Sequence, residues 1–193
     1  MPVDVDDKNN VVFDALQVEY KDMASWYDFF WKSYTEGTLK KPLNEVLKVI
    51  THIGHARLSL VDVGCGTGAF LRRLQDVWPT STDSHDEDVL PKLIGVEPSK
   101  EMVQQAQKKF DKEERRIVML KESPAEHLPL GDNSANIVVS TSAFHFFRDK
   151  DRSLQEMKRV LEQDGTLIIT DWCNDYWIVK LYHLLERLRW MEV

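Results

Sequence analysis

The residues best placed to do chemistry stand in "VDVGCGTGAF", Val61 to Phe70, where glycine recurs at 64, 66 and 68 between a short apolar run and a helix-period pattern. A strand, a glycine turn and a helix N-terminus form a place to hold a nucleotide, because backbone without Cβ atoms can turn sharply and touch a ligand. The loop alone leaves the nucleotide open. Gly64, Gly66 and Ala69 satisfy the dinucleotide fingerprint G-x-G-x-x-G/A, and Gly64, Gly66 and Gly68 satisfy a tighter G-x-G-x-G. Asp62 favours the second. It interrupts an apolar strand just before the loop, where a carboxylate suits a ligand with an ammonium or sulfonium end and repels a pyrophosphate. That favours S-adenosylmethionine over a nicotinamide dinucleotide. Glu97, in "GVEPS", ends the next strand candidate and can accept hydrogen bonds from both hydroxyls of a ribose. It follows Gly68 by 29 residues where about 20 is usual. The acidic, turn-rich stretch "PTSTDSHDED", 79–88, accounts for the surplus.

Other reactive side chains are fewer. His145 follows the fourth apolar run and is the candidate general base if an acceptor arrives protonated; a packed histidine between Phe144 and Phe146 is the alternative reading. His52 and His55 stand at i,i+3, but no cysteine or carboxylate cluster joins them, so no metal site is expected. The aspartates of 79–88 do not fit a calcium-loop pattern and read as a solvated insertion. Cys65 and Cys173 make no disulfide framework, which fits a reducing compartment.

These groups need elements to position them. "LSLVDV", "KLIGV", "IVML", "NIVVS" and "TLIIT" read as strands. Between them, apolar residues recur with helical period: Phe70, Leu71, Leu74 and Val77; then Met102, Val103, Ala106 and Phe110, capped by Ser99; then Leu154, Met157, Val160 and Leu161, ended by Gly165. Two helical stretches come before, one rich in aromatics within the first 35 residues and one from Pro42; a last follows, with Leu181, Leu184, Leu185 and Leu188. Alternating strands and helices predict an α/β fold, a doubly wound, mainly parallel sheet with helices on both faces. Its ligand would sit outside the C-terminal strand ends, where the singled-out residues fall.

Composition narrows the partners. The 193 residues carry a formal net charge of -7, which disfavours a protein that lives on nucleic-acid phosphates. The pairs Lys108-Lys109 and Arg115-Arg116 read as solvated helix ends. No apolar run has the length of a membrane span. The acidic N-terminus lacks the marks of a signal or transit peptide, so a cytoplasmic location is expected.

Four blocks in order, over about residues 58 to 172, resemble the class I S-adenosylmethionine-dependent methyltransferases, and within them the ubiquinone and menaquinone biosynthesis type. They are "VDVGCGTG", "GVEPS", "AEHLPLGDNSANIVVSTSAFHFF" and "EMKRVLEQDGTLIITDW". The resemblance implies methyl transfer from S-adenosylmethionine to a small or lipid-like acceptor, on a Rossmann-like fold. It implies that Asp62 and the loop Gly64, Cys65, Gly66 and Gly68 hold the methionine part, and that Glu97 binds the ribose. Pro98 and Met102 would pack on the adenine, with Ala125 and Glu126 at its edge and Ser140 under the sulfonium. Tyr27, in "SWYDFF", resembles a tyrosine that closes over the cofactor. Asp171 and Trp172 would line the acceptor side. Trp26, Phe30 and Trp31 form either an apolar lid or core. The chain departs from the family pattern at Pro124, where an aspartate is usual, at Ala135-Asn136 in place of Phe-Asp, and at "EQDG" in place of "KPGG". Those departures give some weight to a second reading, a non-catalytic adenosyl-binding or scaffold domain. The expected organisation is a helical cap over 1–57 and a cofactor-binding domain over 58–193. Relatives of this family continue into an antiparallel hairpin beside the fifth strand. A chain that stops at Val193 is expected to lack it and to self-associate through 166–190.

Overall fold

The computed structural model describes residues 27–53, 58–78 and 90–171. Two helices, α1 (Tyr27–Thr38) and α2 (Lys40–Ile53), lead into an alternating unit: β1 (Ser59–Val63), α3 (Ala69–Val77), β2 (Lys92–Glu97), α4 (Lys100–Lys108), β3 (Val118–Glu122), β4 (Ala135–Thr141), α5 (Lys150–Val160) and β5 (Leu161–Thr170). Short 3-10 turns cover Glu114–Arg116 and Phe144–Phe146. The five strands run parallel in the order β3-β2-β1-β4-β5. The chain winds outward from β1 to β3, then returns to the other side of β1. Strand order therefore reverses between β1 and β4, and the crevice at their C-terminal ends is the ligand position such sheets provide.

Parallel strands covered on both faces need apolar residues on both, which is why "KLIGV" and "NIVVS" read as continuous runs. On one face Leu60, Leu93, Ile137 and Val139 pack with Leu43, Val46 and Ile50 of α2 and Phe70, Leu71 and Leu74 of α3. On the other Val61, Val63, Val96 and Val138 meet Met157 and Val160 of α5. Burying each such leucine or valine contributes about 2 kcal/mol. Ser99 caps α4 as expected, its hydroxyl accepting from the Met102 N–H at 3.3 Å.

The α5 boundary differs from the sequence reading. Leu161 keeps helical spacing, yet α5 ends at Val160 and Leu161 opens β5, opposite Ala135. Two competing bonds end the helix: the Asn133 and Ser134 N–H groups donate to the carbonyls of Arg159 and Val160. Pairing then steps from Ala135–Leu161 to Ile137–Thr166 across a bulge. Gly165 belongs to that bulge rather than to a helix end. A Cβ there would lie 2.7 Å from the Leu161 side chain.

One ion pair braces the unit behind the site. Arg159 meets both carboxylate oxygens of Glu156 at 2.8 Å, and also the carbonyls of Leu128 and Leu130 and the Asp132 carboxylate. Glu156, 5% exposed, accepts the Leu128 N–H at 2.9 Å. The Arg159 hydrogen bonds pull its carboxyl down to about 2. Glu156→Ala should cost about 2 kcal/mol, because it leaves the Leu128 N–H without its acceptor and takes two charge-assisted bonds from the half-buried Arg159, which keeps Asp132 and two carbonyls. The folded carboxyl titrates below the unfolded one, so this contribution is complete above about pH 4.5 and lost as pH falls through 2. Urea unfolding of both proteins at pH 7 and pH 3 checks it: the gap should narrow in acid.

Candidate cofactor and acceptor site

The turn after β1 is built from three left-handed glycines, Gly64 (φ 76°), Gly66 (φ 52°) and Gly68 (φ 74°). They differ in what surrounds them. A Cβ on Gly64 would lie 2.5 Å from the Ala143 Cβ, whereas one on Gly66 would meet no protein atom within 4 Å. Gly64 therefore lets the turn after β4 press against the loop, and Gly66 faces open space. The loop is pinned to β2 by the Gly64 and Cys65 N–H groups, which donate to the Val96 carbonyl at 2.8 and 3.1 Å. The Gly66 N–H donates to Glu97 Oε2 at 3.0 Å, and the Ser99 N–H to Glu97 Oε1 at 3.0 Å. Two backbone donors thus fix the Glu97 carboxylate at the strand end, and each oxygen retains acceptor capacity.

Asp62 is fully buried beneath this loop, and among the described residues neither of its carboxylate oxygens has a hydrogen-bond partner. Burial, with the Glu97 charge adding, pushes its carboxyl up to about 8. Burial pushes Glu97 to about 7 against the pull of its two backbone bonds. Cys65 is driven well above the ordinary thiol range, first by burial and then by Asp62 and Glu97. A Cβ on Gly95 would lie 2.7 Å from the Cys65 sulfur, so the thiol tucks under the loop and Cys65 offers a ligand only its backbone. The Ser140 hydroxyl is also buried, without a partner among the described residues. A paired acidic site with orphaned oxygens beneath an open cradle calls for a cation. The ammonium and sulfonium of S-adenosylmethionine answer that need, and a pyrophosphate does not. Asp62 has no exposed surface, so its carboxylate can reach a ligand in the cradle only through its field.

Among the other expected residues, Pro98 follows Glu97 into the α4 cap, Met102 is buried on α4, and Ala125 is buried in the core face that holds Val96. Glu126 turns to α5, its Oε1 accepting the Asp149 N–H at 3.0 Å. Tyr27 opens α1, and its side chain lies outside the described residues, as do those of Trp26, Phe30, Trp31 and Trp172 and the stretch 79–88. His52 points Nδ1 at the Lys48 carbonyl, 2.8 Å away; His55 lies outside the described residues. The substitution Asn136 is accounted for: its side chain accepts the Ser59 N–H at 2.8 Å and donates to Glu162 at 2.7 Å. It ties strands at the N-terminal end of β1, away from the site.

Two arrangements escape sequence reasoning. His145, in the turn after β4, places Nδ1 2.6 Å from Asp171 Oδ1 just past β5, and its backbone N–H donates to Asp171 Oδ2 at 2.7 Å. The signal was available only as two reactive residues past the ends of strands that prove adjacent. The second involves Lys109, which is no solvated helix end. Its ammonium lies 2.7 Å from Asp28 of α1 and 2.9 Å from the Thr67 hydroxyl.

Strand order, the glycine loop and the Glu97 anchor define an α/β adenosyl-binding domain. Residues 61–169 match the family described as a methyltransferase domain, and the chain belongs to it. It is 32% identical over 126 residues to a malonyl-[acyl-carrier protein] O-methyltransferase of Geobacter sulfurreducens, covering 65% of this chain and 43% of that protein. It is 28% identical over 135 residues to a ubiquinone/menaquinone biosynthesis C-methyltransferase of Campylobacter jejuni, covering 64% and 53%. The chain thus spans about half the length of the curated relatives it matches. A solved SAM-dependent methyltransferase of Thermotoga maritima, described as a possible histamine N-methyltransferase, superposes with a TM-score of 0.60 at 25% identity, covering 85% of this chain and 65% of that one. S-Adenosylmethionine is accordingly the cofactor implied by the family, and the residues present fit it. Among the described residues no helix is long and apolar enough to cross a membrane.

Proposed function

We propose that the chain transfers a methyl group from S-adenosylmethionine to a small or lipid-like acceptor. The observation that carries this reading is the buried Asp62 carboxylate, unpartnered among the described residues, under a cradle whose central glycine faces open space. When bound, the cofactor supplies an activated methyl group on sulfur. The chain's own residues orient, neutralise and deprotonate. Gly64, Cys65, Gly66 and Gly68 present backbone; Asp62 compensates positive charge; Glu97 accepts from the ribose. Pro98, Met102, Ala125, Glu126, Ser140 and Tyr27 complete the cofactor site on the family pattern.

His145 is the base in this reading. Asp171 accepts its Nδ1–H, which fixes the tautomer and leaves Nε2 the basic nitrogen. Such a dyad suits an acceptor that must lose a proton, such as a hydroxyl or an acidic C–H, and the curated relatives named above are O- and C-methyltransferases. Residues 1–57 act as a cap on a 58–193 cofactor domain working in the cytoplasm. Self-association runs through 166–190, supported by β5 being an edge strand of the described sheet with Leu167 39% exposed.

The test is transfer of labelled methyl from S-adenosylmethionine to a panel holding a malonyl-acyl-carrier protein, a lipid-like quinol and histamine. Transfer to one of them supports the reading; cofactor binding without transfer to any favours the non-catalytic alternative. With the acceptor in hand, His145→Ala should lower turnover tenfold or more and leave cofactor affinity unchanged. Equal rates at every pH would return His145 to packing.

A further inference from the structure

Thr67 stands in the glycine loop between Gly66 and Gly68. It is 2% exposed, and its hydroxyl is the hub of a closed polar ring. Thr67 donates to Asp28 Oδ1 at 2.6 Å and accepts from Lys109 Nζ at 2.9 Å; Lys109 Nζ pairs with Asp28 Oδ2 at 2.7 Å. The ring joins three segments far apart in sequence: the first turn of α1, the loop after β1, and the C-cap of α4. The bonds are charge-assisted, the Lys109 side chain being 21% and the Asp28 side chain 48% exposed, and the buried Thr67 hydroxyl bonds to both partners. Gly66 and Gly68 flank the hub, so any opening of α1 is felt directly at the backbone that faces the ligand.

We propose that Asp28, Thr67 and Lys109 form a latch that holds α1 against the glycine loop and sets the rate at which the adenosyl ligand leaves. The inference rests on the adenosyl reading of the site and adds positioning residues to it. None of the three is needed to touch the ligand. Their effect is to keep the loop and the cap in one arrangement, so breaking the latch speeds dissociation more than it slows association.

Dissociation of S-adenosylhomocysteine from the full chain, followed by stopped flow, tests this. Asp28→Asn, Thr67→Val and Lys109→Met should each raise the off-rate about tenfold. Thr67→Ser should keep it within threefold of wild type, and the swap Asp28→Lys with Lys109→Asp should recover most of the loss. Raising salt should speed release from wild type and not from Asp28→Asn. Amide exchange over residues 29–38 should quicken in Asp28→Asn with or without ligand, a readout that needs no binding. Wild type that fails to bind would overturn the adenosyl reading and this inference with it. Wild type that binds, with variants of unchanged off-rate, would overturn the inference alone.

Discussion

Asp62→Asn should abolish useful cofactor binding and yet make the free protein more stable. The two effects have one cause. The carboxylate is fully buried without a hydrogen-bond partner among the described residues, and it titrates at about 8 in the fold against 3.8 in an ordinary setting. Between those values the folded chain keeps a proton that the unfolded chain releases. Stability therefore falls as pH rises from about 4 to about 8 and levels off above. Asparagine removes that slope. Even after the cost of an unpartnered amide, the variant should gain about 2 kcal/mol or more at pH 8. It also removes the charge that answers a cationic ligand, which in a shielded site is worth about 3 kcal/mol, or about a hundredfold in affinity. Urea unfolding at pH 5 and pH 8 with calorimetric titration at pH 8 measures both. A variant less stable than wild type at pH 8 would contradict the burial argument.

Gly64 and Gly66 should separate folding from binding, although they stand two residues apart and both have positive φ. Gly66→Ala places its Cβ where no protein atom lies within 4 Å, so it costs only the left-handed strain, about 1–2 kcal/mol. The same Cβ occupies the cradle and should weaken S-adenosylmethionine binding a hundredfold or more. Gly64→Ala drives its Cβ to 2.5 Å from Ala143 and should lose about 3 kcal/mol or more, strain and overpacking together. Thermal unfolding and cofactor titration of the pair decide it. Wild-type affinity in Gly66→Ala would remove the loop from the site.

What was legible in the sequence was legible because it broke a local rule or repeated one. Asp62 stands out as a charge inside a strand, and its carboxylate lies beneath the loop with no partner among the described residues. The strands were plain because a sheet covered on both faces demands unbroken apolar runs. The β5 start was hidden because Leu161 satisfies helical spacing; only the carbonyls taken by Asn133 and Ser134 show that the helix has ended. The His145–Asp171 pair and the Asp28–Thr67–Lys109 ring were invisible for a different reason. Each joins segments that meet only once the strand order is known. The Cys65 side chain was not legible from its place in the loop: its sulfur packs on Gly95, which leaves the backbone as what Cys65 presents to the cradle.

An acidic, partly protonated cradle should bind a cationic adenosyl ligand. Calorimetric titration of the full chain with S-adenosylmethionine at pH 6 and pH 8, in buffers of different ionisation enthalpy and with NAD as the control ligand, tests it most directly. Asp62 and Glu97 titrate at about 8 and about 7, and both roles, compensating a cation at Asp62 and accepting from the ribose at Glu97, need the ionised form. Binding should therefore release protons and tighten as pH rises, by up to tenfold per unit for each group that ionises. NAD should not bind. Absence of S-adenosylmethionine binding, or binding that ignores pH while NAD binds equally well, would contradict the account.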